Sequence, residues 1–183
     1  MSPKAAAQRA KVLESEVVFK GRVFELRHER VSEPDGVETV RDVVFHPGSA
    51  VVLPVFPDGT ALLVRQYRHA VGGYMWELVA GSLDKPGESP AEAAKRELLE
   101  EAGYVARKWR KLLDYFPSPG LLSEHMHIFL ATNLTAGTAQ PEEDERIEPK
   151  RFRWSEIERM IKNGTICDGK SIAGLLYYLR FVK

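Results

Sequence analysis

The segment GSLDKPGESPAEAAKRELLEEAGY, Gly81–Tyr104, decides how this chain is read. Its first part is dense in chain breakers, with Gly81, Pro86 and Gly87, and forms a loop. Its second part announces a helix at both ends. Ser89 is an N-cap, Pro90 fits the first helical position, Glu92 completes a capping box with Ser89, and Gly103 is the C-terminal stop. These signals predict a helix over 90–102. At about 100° per residue, Glu97, Glu100 and Glu101 fall within one ~100° sector of its surface, beside an apolar stripe of Ala94, Leu98 and Ala102.

An acidic helix face is ordinarily solvated surface, but this one is placed where charge is least favourable. Glu97 and Glu101 are a like-charge i,i+4 pair, and all three acids lie toward the C-terminal end, where the helix dipole favours Lys or Arg. A divalent cation removes both penalties. All-oxygen donors with no accompanying Cys or His set favour Mg²⁺, or Mn²⁺ as a substitute, over zinc. Mg²⁺ keeps several waters and is held by a few carboxylates plus substrate phosphates, so the pattern suggests phosphate chemistry. Gly81 lets backbone approach the metal or a diphosphate closely.

Outward from this segment, Val17 to Arg27 and Val37 to Phe45 read as short antiparallel strands separated by the turn signal Glu33-Pro-Asp-Gly36. Ala50 to Phe56, the turn Pro57-Asp58-Gly59 and Ala61 to Tyr67 read as a hairpin. Trp76 to Ala80, Lys111 to Phe116, His125 to Asn133 and Arg151 to Trp154 are further strands. Ser155-Glu-Ile-Glu158 is a second capping box opening a helix that stops near Gly164, and a last helix spans Ser171 to Phe181. Such an irregular mixture argues an α+β layered fold. His125 and His127 share one side of a strand and read as packing residues; Arg107-Lys-Trp-Arg-Lys111 reads as a solvated edge strand.

At 183 residues, with 44% hydrophobic and 28% charged, the chain can bury one sizeable core. Lys+Arg and Asp+Glu are both 26, so the basic excess of a duplex-binding protein is missing and no nucleic-acid partner is expected. Cys167, the only cysteine, offers neither an intrachain disulfide nor a zinc cage, which suits a reducing compartment. No apolar run approaches the ~20 residues of a membrane helix, so no membrane partner is expected. The stretch from Met1 to Lys11 has basic residues but no apolar core, which reads as a frayed tail rather than a signal peptide; cytoplasm is the simplest location.

Gly81, Glu88 and Arg96-Glu97-Leu98-Leu99-Glu100-Glu101-Ala102-Gly103-Tyr104 resemble the Nudix box, G-x5-E-x7-R-E-U-x-E-E-x-G-U with U apolar. The match is complete from Glu88 onward; Ser82 to Gly87 is one residue longer than the pattern, which a bulge at Lys85-Pro86-Gly87 would accommodate. Further segments resemble the ADP-ribose pyrophosphatase branch: Arg65-Gln66-Tyr67-Arg68, Trp76-Glu77-Leu78-Val79-Ala80-Gly81 with Val79 where the branch has Pro, Ser118-Pro119-Gly120 with Glu124, the acidic loop Pro141 to Ile147, and the C-terminal helices.

The resemblance implies a Nudix fold, a mixed central sheet between helices, with a tail over 1–14, an N-terminal antiparallel sheet region over 15–46 and the hydrolase domain over 47–183. It implies that Glu97, Glu101, the Ala80 carbonyl and Glu145 hold metal, with Glu100 as an additional carboxylate of the metal shell. Arg96 would orient these carboxylates, and Glu143 would be the general base, with Glu142 as the alternative register. Arg68 would hold a phosphate, Arg41 would contact substrate from the N-terminal sheet, and Glu124 would help orient the bound substrate or a metal-bound water. Phe19 or Phe24 would stack on adenine. The implied reaction is Mg²⁺-dependent hydrolysis of ADP-ribose, or a close nucleoside diphosphate sugar, to AMP and ribose 5-phosphate. Alternatives are another nucleoside diphosphate derivative, such as NADH or a dinucleoside polyphosphate, and a non-catalytic ADP-ribose sensor. The branch also implies a homodimer, with Arg41 acting in the partner's site.

Overall fold

The computed structural model describes residues 9–139 and 146–183. They form two compact units, one of residues up to 48 together with 116–125, the other of 49–115 together with 126–183. The expected boundary near residue 47 therefore omits the segment 116–125, which leaves the second unit's span. The backbone explains its membership: the Val44 N–H donates to the Leu121 carbonyl and the Ser123 N–H to the Val44 carbonyl, each at 2.9 Å. Ser118-Pro119-Gly120 is a turn, closed by the Leu122 N–H on the Ser118 carbonyl at 2.8 Å.

The first unit is an antiparallel sheet in the order β1-β2-β3, with β1 at Lys11–Lys20, β2 at Glu25–Ser32 and β3 at Glu38–Phe45. The stretch Val17 to Arg27 is not one strand. It holds the β1–β2 turn, closed by the Gly21 N–H on the Phe24 carbonyl at 2.8 Å, and β1 begins ahead of residue 15.

Among its described residues the second unit has two sheets, three α-helices and a single-turn 3-10 helix at His69–Val71. One sheet runs β7-β4-β9-β8, with β4 at Ser49–Pro54, β7 at Val79–Ser82, β8 at Tyr104–Tyr115 and β9 at Met126–Ala136; β4 and β9 are parallel. The other runs β10-β5-β6, with β5 at Ala61–Arg68, β6 at Gly73–Glu77 and β10 at Glu148–Phe152. The helices are α1 at Pro90–Ala102, α2 at Trp154–Lys162 and α3 at Gly169–Phe181.

Alternation along the strands sorts the core into two layers. Val51 and Leu53 of β4, Leu63 of β5 and Ile128 and Leu130 of β9 pack with Trp154, Ile157, Met160 and Leu175 of α2 and α3. Their neighbours Ala50, Val52, Leu62, Val64, Phe129 and Ala131 pack with Ala93, Ala94, Leu98 and Ala102 of α1. Both strand faces are thus covered, which is why 50–56 and 61–64 are unbroken apolar runs.

That double coverage also overturns the expected hairpin. The turn exists, with the Phe56 N–H on the Thr60 carbonyl at 2.8 Å, but only a single Val55–Ala61 bridge joins its arms before β4 and β5 enter different sheets. Trp76 to Ala80 is likewise two strands, divided at Leu78 between the two sheets. The second capping box sits two residues earlier than Ser155 suggested: Arg153 is the N-cap, α2 starts at Trp154, and the Glu156 carboxylate accepts from the Arg153 N–H at 2.9 Å. The basic stretch 107–111 lies on β8, the edge strand of its sheet. His127 pairs with Asp114 at 2.8 Å, and His125 stacks on Phe116 with ring centroids 4.7 Å apart.

Candidate active site

The helix α1 is fixed at both ends by local chemistry. The Ser89 hydroxyl accepts from the Glu92 N–H, the Glu92 carboxylate accepts from the Ser89 N–H at 2.9 Å, and Gly103 closes the helix at φ 68°. The loop before it turns at Lys85–Glu88, where the Glu88 N–H reaches the Lys85 carbonyl at 3.2 Å and Gly87 has φ 78°. Pro86 and Gly87 are suited to the corners of such a turn.

Of the three acids predicted to share a face, Glu97 and Glu101 are buried, at 8% and 4% exposure, and Glu100 is half-buried. They meet the end of β7. The Ala80 N–H donates to Glu101 Oε2 at 3.2 Å. An ideal Cβ on Gly81 would stand 1.8 Å from Glu97 Oε1, so only glycine leaves room for that carboxylate.

Arg96 ties the group together. Its Nε and Nη2 donate to the two oxygens of Glu88 at 2.8 and 2.9 Å, and Nη1 donates to Glu97 Oε1 at 2.5 Å and Glu100 Oε2 at 2.8 Å. Hydrogen bonds to Glu88 lead the causes that hold the guanidinium's proton more tightly than usual, with burial opposing them. The same pairing holds the Glu88 carboxyl below the ordinary carboxylate range. Lys85 lies 3.9 Å from Glu100.

Beside this cluster, Arg68 at the end of β5 makes a two-point pair with Glu77 of β6, Nε to Oε1 and Nη2 to Oε2, both 2.8 Å. The Glu77 bonds raise the guanidinium's pKa, burial opposes, and Glu101 adds to the same raising field. Leu78, the residue between the two sheets, donates its N–H to Ser171 Oγ at 2.7 Å. Ser171 lies at the start of α3, whose N-cap Asp168 accepts from the Ser171 N–H at 3.0 Å. Glu77, Asp168, Lys170 and Ser171 are not among the residues that the sequence marks as functional. The acid within the run Trp76 to Ala80, and Asp168 three residues before Ser171, were the available signals.

The structure therefore brings Ala80, Gly81, Arg96, Glu97, Glu100 and Glu101 into one group with Arg68 in its field. Arg41 and Glu124 belong to the N-terminal unit. There Arg41 donates to Glu33 at 2.5 Å and Thr39 at 3.0 Å, and Glu124 is buried, 3.6 Å from His46. Glu142, Glu143 and Glu145 lie outside the described residues. Buried carboxylates at the C-terminal end of a helix, facing backbone at a cleared glycine, are the oxygen donors a hard divalent cation takes, so the residues present fit such an ion.

Residues 45–175 match the family described as NUDIX domain. The chain belongs to the NUDIX family. Among its relatives in the family are the ADP-ribose pyrophosphatase of Bacillus subtilis (strain 168), 34% identical over 91% of this chain and 91% of that protein. The ADP-ribose pyrophosphatase of Mycobacterium tuberculosis (strain ATCC 25618 / H37Rv) is 36% identical over 90% of this chain and 80% of its own. The NUDIX fold itself is matched by a crystal structure titled as an ADP compounds hydrolase, with a TM-score of 0.80 and 24% identity, covering 96% of this chain and 95% of that one.

Proposed function

We propose that this NUDIX chain is an ADP-ribose pyrophosphatase, cleaving the diphosphate of ADP-ribose, or of a close nucleoside diphosphate sugar, to give AMP and ribose 5-phosphate. The observation that carries the reading is the carboxylate group of Glu97 and Glu101 against Ala80 and Gly81, in a chain whose relatives of that name align over nearly its full length. Glu97, Glu101, the Ala80 carbonyl and Glu145 would hold the divalent ion, Mg²⁺ by the hardness of its donors, with Glu100 in its shell. When bound, that ion neutralises charge on diphosphate oxygens and acidifies a water.

The chain's own groups do the remainder. Arg96 fixes the rotamers of Glu97 and Glu100, so that the carboxylates are oriented before substrate arrives. Glu143 takes the proton of the attacking water. Arg68 binds a phosphoryl oxygen, and Glu124 and Arg41 contact substrate, Arg41 from a second copy of the chain. The homodimer is supported by β1, an edge strand that exposes Val12, Val17, Val18 and Phe19. No helix among the described residues is long and apolar enough to cross a membrane, and cytoplasm is the location we assign.

The test is phosphatase-coupled phosphate release over ADP-ribose, sugar nucleotides, NADH and diadenosine polyphosphates with Mg²⁺, on a preparation whose oligomeric state is measured by sedimentation. Turnover highest on ADP-ribose is expected. Turnover highest on another diphosphate would replace the substrate, and tight ADP-ribose binding without turnover would make the protein a sensor.

A further inference from the structure

Glu77 is the most deeply buried acid among the described residues, at 1% exposure, and two cations converge on it. Arg68 engages both of its oxygens, and Lys170 of α3 pairs with Oε2 while also reaching Asp168 at 3.0 Å. Lys170 is itself nearly covered, with 10% of its side chain exposed. The cluster is balanced in charge, two cations against two carboxylates, and spans the end of β5, the end of β6 and the start of α3.

A buried ionic cluster of this kind is a poor device for stability, since desolvation offsets most of the Coulomb gain and an apolar replacement is often neutral. It does fix geometry. The two-point pair uses Arg68 Nε and Nη2 and leaves Nη1 outside it, on a side chain that keeps 39% of its surface exposed. The same guanidinium lies within the field of Glu101. With Lys170 sharing the Glu77 Oε2 that Arg68 Nη2 also binds, the carboxylate is held by both cations, and Arg68 is held by it at two points rather than left to the many orientations open to a flexible arginine.

We propose that Glu77 and Lys170 are positioning residues, which hold Arg68 so that the Nη1 left outside the two-point pair meets the diphosphate. The proposal rests on the diphosphate reading of the preceding section and adds to it the groups that pre-organise the phosphate contact. Holding the donor in place removes the rotamer entropy that binding would otherwise spend, so the loss should appear in affinity for the diphosphate. Neither residue touches substrate.

The test is calorimetric titration of inorganic pyrophosphate, with Mg²⁺ present, into the wild-type chain, Glu77→Gln and Lys170→Gln, with a thermal melt of each. ADP-ribose kinetics accompany it. We expect the pyrophosphate Kd to weaken by about tenfold in Glu77→Gln and by less in Lys170→Gln, with KM rising and kcat retained. Lys170→Gln keeps the Asp168 cap of α3, so it reports even where Glu77→Gln does not fold. A lowered melting temperature with pyrophosphate affinity and KM unchanged would overturn the proposal, as would a wild-type chain that does not bind pyrophosphate. If the wild type binds pyrophosphate and the variants weaken it, but ADP-ribose is not turned over, the substrate reading fails and the positioning role stands.

Discussion

Gly81 is where an added methyl group would strike the carboxylate cluster, its Cβ 1.8 Å from Glu97 Oε1. Glu97 is the far end of a flexible side chain, so Gly81→Ala should fold and push that carboxylate aside. An ångström of misplacement is enough for a loss of about 100-fold, which kcat for the preferred diphosphate should show while the circular dichroism spectrum is retained. Unchanged kcat would mean that Glu97 need not stand where it does. The carboxylates were legible in the sequence because helical periodicity fixes which side chains share a face, and Glu97 and Glu101 stand four residues apart on a capped helix. Their burial was not legible, since it depends on β7 closing over them through Ala80 and Gly81. Nor were Glu77 and Lys170, whose separation along the chain hides a contact made only when α3 returns to the end of β6.

At the scale of elements, the crossing from β6 to β7 at Leu78 shows what periodicity cannot reveal. An apolar run such as Ala50 to Phe56, or the mixed stretch Trp76 to Ala80, states that a strand is buried but not which sheet receives it. The helix over 90–102 was legible to the residue because its caps are local chemistry; the hairpin failed because strand pairing is not. The Glu77 cluster at this crossing carries a pH consequence. Burial pushes the Glu77 carboxyl up, but the Arg68 hydrogen bonds and the Lys170 charge more than reverse this, so its pKa lies below the ordinary 4.5. The unfolded chain then binds the proton more readily, and stability from Glu77 is complete above that value and lost as pH falls through the folded one. Thermal melts from neutral pH to about pH 3 should show a flatter acid limb in Glu77→Gln than in the wild type. Superimposable acid limbs would remove Glu77 from the account.

For the whole molecule, the α+β architecture followed from the mixture of strand and helix signals, and the two-sided burial of β4, β5 and β9 explains it physically. Segment 116–125 joins the N-terminal sheet through backbone bonds to Val44, and no composition change in the sequence marks such a partnership. If the Glu97 cluster performs cation-dependent cleavage of a diphosphate, ADP-ribose hydrolysis by the wild type and by Glu97→Gln, each measured with Mg²⁺ and with chelator, will show it. We predict wild-type turnover that chelator abolishes, and a kcat about a thousandfold lower in a folded Glu97→Gln. Turnover that survives chelation, or a fully active Glu97→Gln, would contradict it.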